Sequence, residues 1–205
     1  MKHDSVLLIQ FAKEPVPGLV KTRMQPQLSP SEACALHIEL VLWTCSTLCQ
    51  SHLGDVELWC SGSQQHPTFL ACESMGLKQL CQQQGSDLGD RMHHAMREGL
   101  KRYAKVVLVG SDCPAIDHQY LAMAVDALDS ADLVLGPAND GGYVLIGANR
   151  IHPGLFEGVV WGDAGVFQQT LERAGELDIS SEILSPLSDI DIPEDLSHWQ
   201  SLQKI

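Results

Sequence analysis

Short apolar runs of strand length recur along this chain, and segments with helical periodicity separate them. Residues 5–11 (SVLLIQF) and 105–110 (KVVLVG) are the two clearest runs. Their continuous apolar character is typical of strands that are buried on both faces. Between them, apolar side chains in residues 88–100 recur every three or four positions, as on one face of a helix. The alternation predicts a three-layer α/β/α fold, with helices on both faces of a mostly parallel sheet.

Weaker signals of the same kind fill the rest of the chain. Further strands are expected at residues 56–60, 77–82, 132–135, 143–147, 159–161 and 183–184. Further helices are expected at residues 30–49, 67–75, 117–128 and 164–174, and a short one from Pro193. The turn Asn139-Asp140-Gly141-Gly142 favours a hairpin, and therefore one antiparallel insertion in the sheet. No repeat or linker divides the chain, so a single domain over residues 1–205 is expected.

The charge balance of the chain excludes some classes of partner. Its 205 residues include 13 Lys and Arg against 26 Asp and Glu, a net charge of −13. Nucleic acids and anionic membranes bind to basic surfaces, so neither partner is expected. No secretion signal and no run of about 18 apolar residues is visible, which predicts a cytoplasmic protein. The seven cysteines form no C-x-x-C pair, so neither a disulfide framework nor a zinc ribbon is expected.

The loop after the first strand holds three of the chain's few cations. Residues 12–28 contain Lys13, Lys21 and Arg23 together with Gly18. Glycine and cations in such a loop can bring backbone N–H groups and positive charge to a polyphosphate. The loop has neither the P-loop nor the dinucleotide-fold glycine pattern. Phosphate binding and a solvated basic loop are both open, and the acidity of the rest of the chain favours phosphate binding.

A second candidate segment, Gly110-Ser111-Asp112-Cys113-Pro114, follows the strand at residues 105–110 directly. A carboxylate at the C-terminal end of a buried strand can hold a hard cation that bridges phosphate oxygens, which would make Asp112 a metal ligand. The alternative is that Asp112 is a cap or turn residue that bonds to local N–H groups.

Two further segments combine carboxylates with turn residues. In residues 136–143, adjacent glycines allow close approach of a ligand, Asp140 supplies a carboxylate and Tyr143 a hydrogen-bond donor; an ordinary turn is the alternative. In residues 188–196, Asp189 and Asp191 would share one face of an extended segment and could supply a second metal carboxylate. The alternative there is a helix N-terminus with Asp191 as its N-cap.

Taken together, the motifs FAKEPVPGLVKTR, QGSDLGDRM, GSDCP, ANDGGYVLIG and DIDIPEDL resemble those of the DUF2064 family. The resemblance extends over residues 6–196. The family is grouped with glycosyltransferases and is in part associated with arsenosugar biosynthesis, so the resemblance implies a GT-A, or nucleotide-diphosphosugar transferase, fold. More distantly, the chain is similar to the cytidylyl- and guanylyltransferases of molybdopterin and deazaflavin cofactor synthesis.

The resemblance also implies roles for individual residues. Nucleotide or phosphate contacts are implied for Ala12, Lys13, Gly18, Lys21, Arg23 and Ser111. Contacts on the acceptor or sugar side are implied for Gly141, Gly142, Tyr143 and Trp161, and catalytic roles for Asp112 and Asp140. A divalent metal, Mg²⁺ or Mn²⁺, would be held by Asp112 and Asp191. The family often has hydroxyl residues where this chain has Gly162, Asp163 and Ile192, so any role of those hydroxyls is lost here, although Asp163 can cap the next helix.

The resemblance implies a metal-dependent glycosyltransferase that takes a nucleotide-sugar donor and a small-molecule acceptor. One alternative is a nucleotidyltransferase, in which a phosphorylated acceptor attacks a nucleoside triphosphate and pyrophosphate leaves. A second alternative is a non-catalytic nucleotide-binding protein, because a fold alone does not establish an activity. The sequence leaves the base, the sugar, the acceptor and the oligomeric state open.

Overall fold

The computed structural model describes residues 5–25 and 27–203. The two ends of the expected 1–205 domain and position 26 of the cationic loop lie outside the described residues. Seven strands form one sheet: β1 (Val6–Lys13), β2 (Asp55–Ser61), β3 (Gln79–Gln82), β4 (Lys105–Val109), β5 (Leu133–Pro137), β6 (Tyr143–Ala148) and β7 (Ser181–Ile183). Their order in the sheet is β3-β2-β1-β4-β6-β5-β7. Strand β6 runs antiparallel to both of its neighbours and the other described pairs are parallel, so the mostly parallel sheet with an antiparallel insertion is confirmed.

The described residues also form six α-helices, of which five lie between consecutive strands and the last follows β7. They are α1 (Pro30–Ser51), α2 (Pro67–Glu73), α3 (Leu88–Leu100), α4 (His118–Ala127), α5 (Val166–Glu176) and α6 (Leu196–Leu202). Short 3-10 turns lie at Thr22–Met24, Pro153–Leu155 and Pro193–Asp195.

The side chains of β1 alternate between two hydrophobic cores. Leu7 and Ile9 are fully buried on one face of the sheet, in a core that includes α3 and α5 residues such as Met96. Leu8 is fully buried on the other face, in a core that includes α1 and α4 residues such as Leu121. Because both faces of the sheet are covered by helices, the predicted three-layer architecture is confirmed.

Two of the predicted helix starts are formed by the expected caps. The hydroxyl of Ser29 accepts from the Glu32 N–H at 3.3 Å, and the Glu32 carboxylate accepts from the Ser29 N–H at 2.8 Å, which makes a capping box at the start of α1. The Asp117 carboxylate accepts from the Tyr120 N–H at 2.8 Å and caps α4.

Three local predictions are wrong. Residues 159–161 form no strand; they lie between Gly158 and Gly162, both of which have positive φ, so turns bound the segment on each side. The N-cap of α5 is Gly165, not Asp163, which lies two residues earlier and accepts from the Gly165 N–H at 2.8 Å. Asp191 is likewise not an N-cap, since the 3-10 turn Pro193–Asp195 is capped by Ile192.

Helix α1 is long and apolar enough to cross a membrane by length and composition alone. Half of its most apolar window is buried inside the structure, as in the core helix of a soluble protein, so this is weak evidence for a span. Polar residues interrupt the apolar run of this helix, so the sequence shows no unbroken apolar stretch of that length. Cys34 and Cys45 are buried in α1 and Cys49 is half-buried, and all seven cysteines are free thiols in the structure.

Candidate active site

The C-terminal ends of β1 and β4 lie side by side, because the two strands are parallel neighbours. The buried Gln10 amide donates to Val41 O and to Ser111 Oγ, both at 2.9 Å, and Ser111 Oγ donates to Phe11 O at 2.8 Å. These bonds join β1 to α1 and to the turn after β4. The hydroxyl of Ser111, which the resemblance assigns to the nucleotide, is therefore occupied in joining the two strand ends.

Lys21 is the buried cation of the site. Its backbone is left-handed, with φ 48°, and its side chain is only 3% exposed. Its ammonium lies 2.7 Å from Asp112 Oδ1 and 4.0 Å from Asp191 Oδ1, and it donates to Ile190 O. One lysine thus connects the cationic loop to the turn after β4 and to the segment before α6.

Asp112 has one shielded and one accessible side. The oxygen that faces Lys21 is shielded from solvent, although the side chain as a whole is 46% exposed. Burial acts to raise the pKa of Asp112, but the Lys21 ammonium outweighs it and holds the pKa below its usual value. His37 Nδ1 lies 4.0 Å from the same oxygen, and burial lowers the pKa of this histidine. Its Nε2 is 3.0 Å from Lys13 O.

A second ion pair, between Arg23 and Asp191, lies next to the first. Arg23 Nη1 contacts Asp191 Oδ2 at 2.7 Å, and the arginine side chain is 62% exposed. The Ile190 N–H donates to Asp112 O at 2.8 Å, so the acidic segment is fixed beside the turn after β4. Asp112 and Asp191, the two residues predicted to hold a metal, are therefore neighbours in the structure, and each is paired with a cation of the loop.

Four carboxylates crowd this edge of the sheet. Asp112, Asp140 and Asp189 line a cavity of about 160 Å³, and Asp191 lies next to it. Burial raises the pKa of Asp189 to about 6, and the negative charge of Asp140 adds to the effect. Among the described residues, no three His, Cys, Asp or Glu side chains are close enough to hold an ion together. The donor set is nonetheless the oxygen-only kind that hard divalent cations prefer, and it carries excess negative charge, so the residues fit such an ion in chemistry.

Two open clefts meet at this edge. One, of about 480 Å³, is lined by cations and runs along the loop after β1. Its basic lining residues are Lys13, Lys21, Arg23 and Arg91. The other, of about 410 Å³, is mainly apolar and lies over β4, β6 and the start of α3. The two share Phe11, Arg23, Leu88 and Gly110. We call them the cationic cleft and the apolar cleft.

The turn between β5 and β6 forms one wall of the apolar cleft. Asp140 Oδ1 accepts from the Gly142 N–H at 3.0 Å, and Gly141 O accepts from the Phe167 N–H at 2.9 Å. Gly141 has φ +94°, and a Cβ there would lie 1.9 Å from Ala164 O. The second glycine of the predicted pair, Gly142, lines the cleft together with Asp140.

The structure brings most of the predicted residues together. Ala12, Lys13, Lys21, Arg23 and Ser111 line the cationic cleft, whereas Asp140, Gly142, Tyr143 and Trp161 line the apolar cleft. Gly18 lines neither cleft; it has φ +84° and no atom lies within 4 Å of the position of its Cβ.

Arg91, Leu88 and Met92 of α3 also line the clefts, although the sequence patterns assign no role to these individual residues. The signal that could have found them is the motif QGSDLGDRM. In this motif Asp87 accepts from the Asp90 N–H at 2.8 Å and starts α3 with its first turn at the site.

The profile of the DUF2064 family, described as uncharacterized proteins conserved in bacteria, matches residues 44–163. The chain belongs to the DUF2064 family. The matched segment contains Asp112, Asp140 and Trp161, and the cationic loop lies before it.

Solved structures extend the similarity over nearly the whole chain. A protein of Desulfovibrio desulfuricans G20 with a provisional assignment as a nucleotide-diphospho-sugar transferase is 31% identical, with a TM-score of 0.86 over 97% of this chain and 87% of that one. The inositol-1-phosphate CTP transferase of T. maritima is 14% identical, with a TM-score of 0.63 over 100% and 97% of the two chains. The predicted nucleotide-diphosphosugar transferase fold is confirmed.

A curated relative matches over a shorter region. The 2-phospho-L-lactate guanylyltransferase of Methanothermobacter thermautotrophicus strain Delta H is 31% identical over 122 residues, which are 60% of this chain. The chain spans about half of that relative's length, 53%. The two proteins that are 31% identical to this chain are thus named as a guanylyltransferase and as a nucleotide-diphospho-sugar transferase. The T. maritima protein shares the fold.

Proposed function

We propose that this protein is a glycosyltransferase that takes a nucleotide-sugar donor in the cationic cleft and an acceptor in the apolar cleft. The observation that carries the proposal is that the two clefts, of opposite character, meet at Gly110 on the C-terminal edge of the sheet. Open α/β sheets bind ligands at this edge. Two adjoining clefts can hold two substrates in contact, as group transfer requires.

The cationic cleft suits the diphosphate of the donor. Lys13 and Arg91 line it, and Arg23 stands at the point where it joins the apolar cleft. In a chain with a net charge of −13, these cations can offset the negative charge of phosphate oxygens. Arginine can bind two phosphate oxygens at once, whereas lysine acts as a point charge.

In the proposed reaction, an acceptor hydroxyl attacks the anomeric carbon of the donor sugar. The new C–O bond forms as the bond from that carbon to the phosphate oxygen breaks, and the nucleoside diphosphate leaves with the negative charge. Asp140, on the wall of the apolar cleft, is positioned to accept the hydroxyl proton. The cations Arg23 and Lys21 would stabilise the charge on the leaving diphosphate. Asp112 and Asp191 would hold a divalent metal, which when bound supplies further positive charge to the phosphate oxygens.

Nucleotidyl transfer is the second candidate. The similarity to a guanylyltransferase over 122 residues supports it, because that region includes more than half of this chain. The same cations would then face a triphosphate, and pyrophosphate would leave. Glycosyl transfer is preferred because the relative with 31% identity over 97% of this chain carries a nucleotide-sugar assignment.

The first test is a thermal-shift screen of nucleoside di- and triphosphates and nucleotide sugars, each with and without Mg²⁺ or Mn²⁺. A ligand that binds the folded state raises the melting temperature, so metal-dependent stabilisation by nucleotide sugars is expected. Asp112→Asn should abolish the metal-dependent part, whereas Asp126→Asn, an exposed aspartate on α4 outside both clefts, should leave it unchanged. Retention of the full metal effect in Asp112→Asn would contradict the metal role.

Product analysis then separates the two reactions. Release of a nucleoside diphosphate from a nucleotide sugar in the presence of an acceptor would support glycosyl transfer. Release of pyrophosphate from a nucleoside triphosphate would support nucleotidyl transfer instead. Tight nucleotide binding with neither product would support the non-catalytic alternative.

A further inference from the structure

The apolar cleft has a wall that suits an uncharged ring. Phe11, Met92 and Trp161 line it, and its volume of about 410 Å³ lies within the usual range for sites that bind small molecules. Leu88, the first residue of α3, also lines it and is 44% exposed. A ligand that covers Leu88 would remove this apolar surface from water, which is favourable.

The charges around the cleft act against a phosphorylated acceptor. Asp140 and Asp163 both line it. Of the described lining residues, Arg23 alone is a cation, and its guanidinium is already 2.7 Å from Asp191. A phosphate in this cleft would face two carboxylates and a single cation that is already paired with Asp191, so it would bind at an electrostatic cost. The cations Lys13 and Arg91 line the cationic cleft instead.

We propose that the acceptor is an uncharged alcohol that carries a ring, and that Asp140 and Asp163 discriminate against its phosphorylated form. This inference rests on the proposed function, because it assigns the second substrate of the same site. The ring would lie against Phe11, Met92 and Trp161, with the hydroxyl towards Asp140. The names of the guanylyltransferase and of the T. maritima protein, in contrast, mention phosphorylated compounds, 2-phospho-L-lactate and inositol-1-phosphate.

A matched pair of probes tests the inference on the whole chain. Phenyl β-D-glucopyranoside is neutral and carries a ring with hydroxyls, whereas its 6-phosphate differs only in charge. Isothermal titration at low ionic strength should give a Kd for the neutral glucoside at least about tenfold lower than for the 6-phosphate. Asp163→Asn should narrow this ratio, because it removes one carboxylate while an amide oxygen remains to accept from the Gly165 N–H. Equal or tighter binding of the 6-phosphate would overturn the inference.

A pair of variants tests where the probe binds. Leu88→Asp places a charge in the cleft and should weaken binding of the neutral glucoside about tenfold or more. Leu70→Asp is the control, because Leu70 is also 44% exposed on a helix but lies outside both clefts. Melting temperatures of both variants show that each is folded. An unchanged Kd in folded Leu88→Asp would overturn the assignment.

Nucleotide binding, measured on the same preparations, distinguishes failure of this inference from failure of the proposed function. Stabilisation by nucleotide sugars without a preference for the neutral glucoside would overturn this inference and leave the proposed function standing. Glucoside binding without any nucleotide binding would overturn both, since an acceptor requires a donor.

Discussion

The ammonium of Lys21 lies 2.7 Å from Asp112 Oδ1, and this ion pair joins the loop after β1 to the turn after β4. The residue predicted to bind phosphate and the residue predicted to bind the metal are thus each other's partners. A divalent ion at Asp112 would compete with Lys21 for the same carboxylate. Lys21 would then be released towards the cationic cleft, which it already lines. Binding of metal and of phosphate would for this reason be coupled through one lysine.

Removal of either partner of this pair should lower the free energy of unfolding. Removal of both should lower it by less than the sum of the two single losses. Lys21→Met leaves the shielded oxygen of Asp112 without its cation, which we expect to lower the free energy of unfolding by about 1–3 kcal/mol. Combination with Asp112→Asn should recover part of the loss, because the unpaired charge is gone. Urea unfolding of the two single variants and the double variant measures the coupling. Lys101→Met, in an exposed pair with Glu98, is the control and should change stability little. If the loss of unfolding free energy in the double variant equals the sum of the two single losses, the two residues do not interact.

The sequence predicts the sheet well because each strand carries its own local signal. The apolar runs that became β1 and β4 are buried on both faces, and that character can be read without knowledge of their neighbours. The pairing of Lys21 with Asp112 and of Arg23 with Asp191 could not be predicted, because it depends on how loops from distant parts of the chain meet. For the same reason the burial and the neighbouring Asp140 charge that raise the pKa of Asp189 have no local signal in the sequence.

Gly141 should be far less tolerant of a side chain than Gly18, although the two backbones are similar. Their φ angles are +94° and +84°, so alanine strains both by about 1–2 kcal/mol. At Gly141 the added Cβ would also lie 1.9 Å from Ala164 O, whereas at Gly18 it would meet nothing within 4 Å. We expect Gly141→Ala to lose clearly more unfolding free energy than Gly18→Ala. It should also weaken acceptor binding, because the turn that holds Asp140 must move. Thermal and urea unfolding of both variants compare them, and equal losses would contradict the steric explanation.

Asp55 should contribute stability that depends on pH. Lys78 donates to its Oδ2 at 2.6 Å and Tyr103 at 2.7 Å, and these bonds hold the pKa of Asp55 below its usual value. A folded-state pKa below that of the unfolded chain adds stability above about pH 4, and the stability is lost as the pH falls further. Asp55→Asn should therefore be less stable than the wild type at pH 7 by less than about 1 kcal/mol, since the pair with Lys78 is exposed. Urea unfolding at pH 7 and at pH 3 should show the gap closing in acid; a gap of constant size would rule out this origin.

Arg102 is the only described cationic partner of the buried Glu57 carboxylate. Arg102 donates to both Glu57 oxygens, at 2.7 and 3.2 Å, and the Trp59 indole donates to Oε2 at 3.0 Å, while the Glu57 side chain is 0% exposed. Arg102→Gln would leave that charge buried and uncompensated, so we expect a loss of about 3–5 kcal/mol of unfolding free energy. Arg97→Gln, at an exposed pair with Glu98, is the control.

A second variant separates charge from packing at Glu57. In the Arg102→Gln background, Glu57→Gln removes the buried charge but keeps an oxygen that can accept from the Trp59 indole. Part of the lost stability should return, because a neutral amide is cheaper to bury than an unpaired carboxylate. The Tyr103 ring centroid lies 5.2 Å from the Arg102 guanidinium carbon. If the double variant is less stable than Arg102→Gln alone, the loss in the single variant comes from this contact of the guanidinium with the ring.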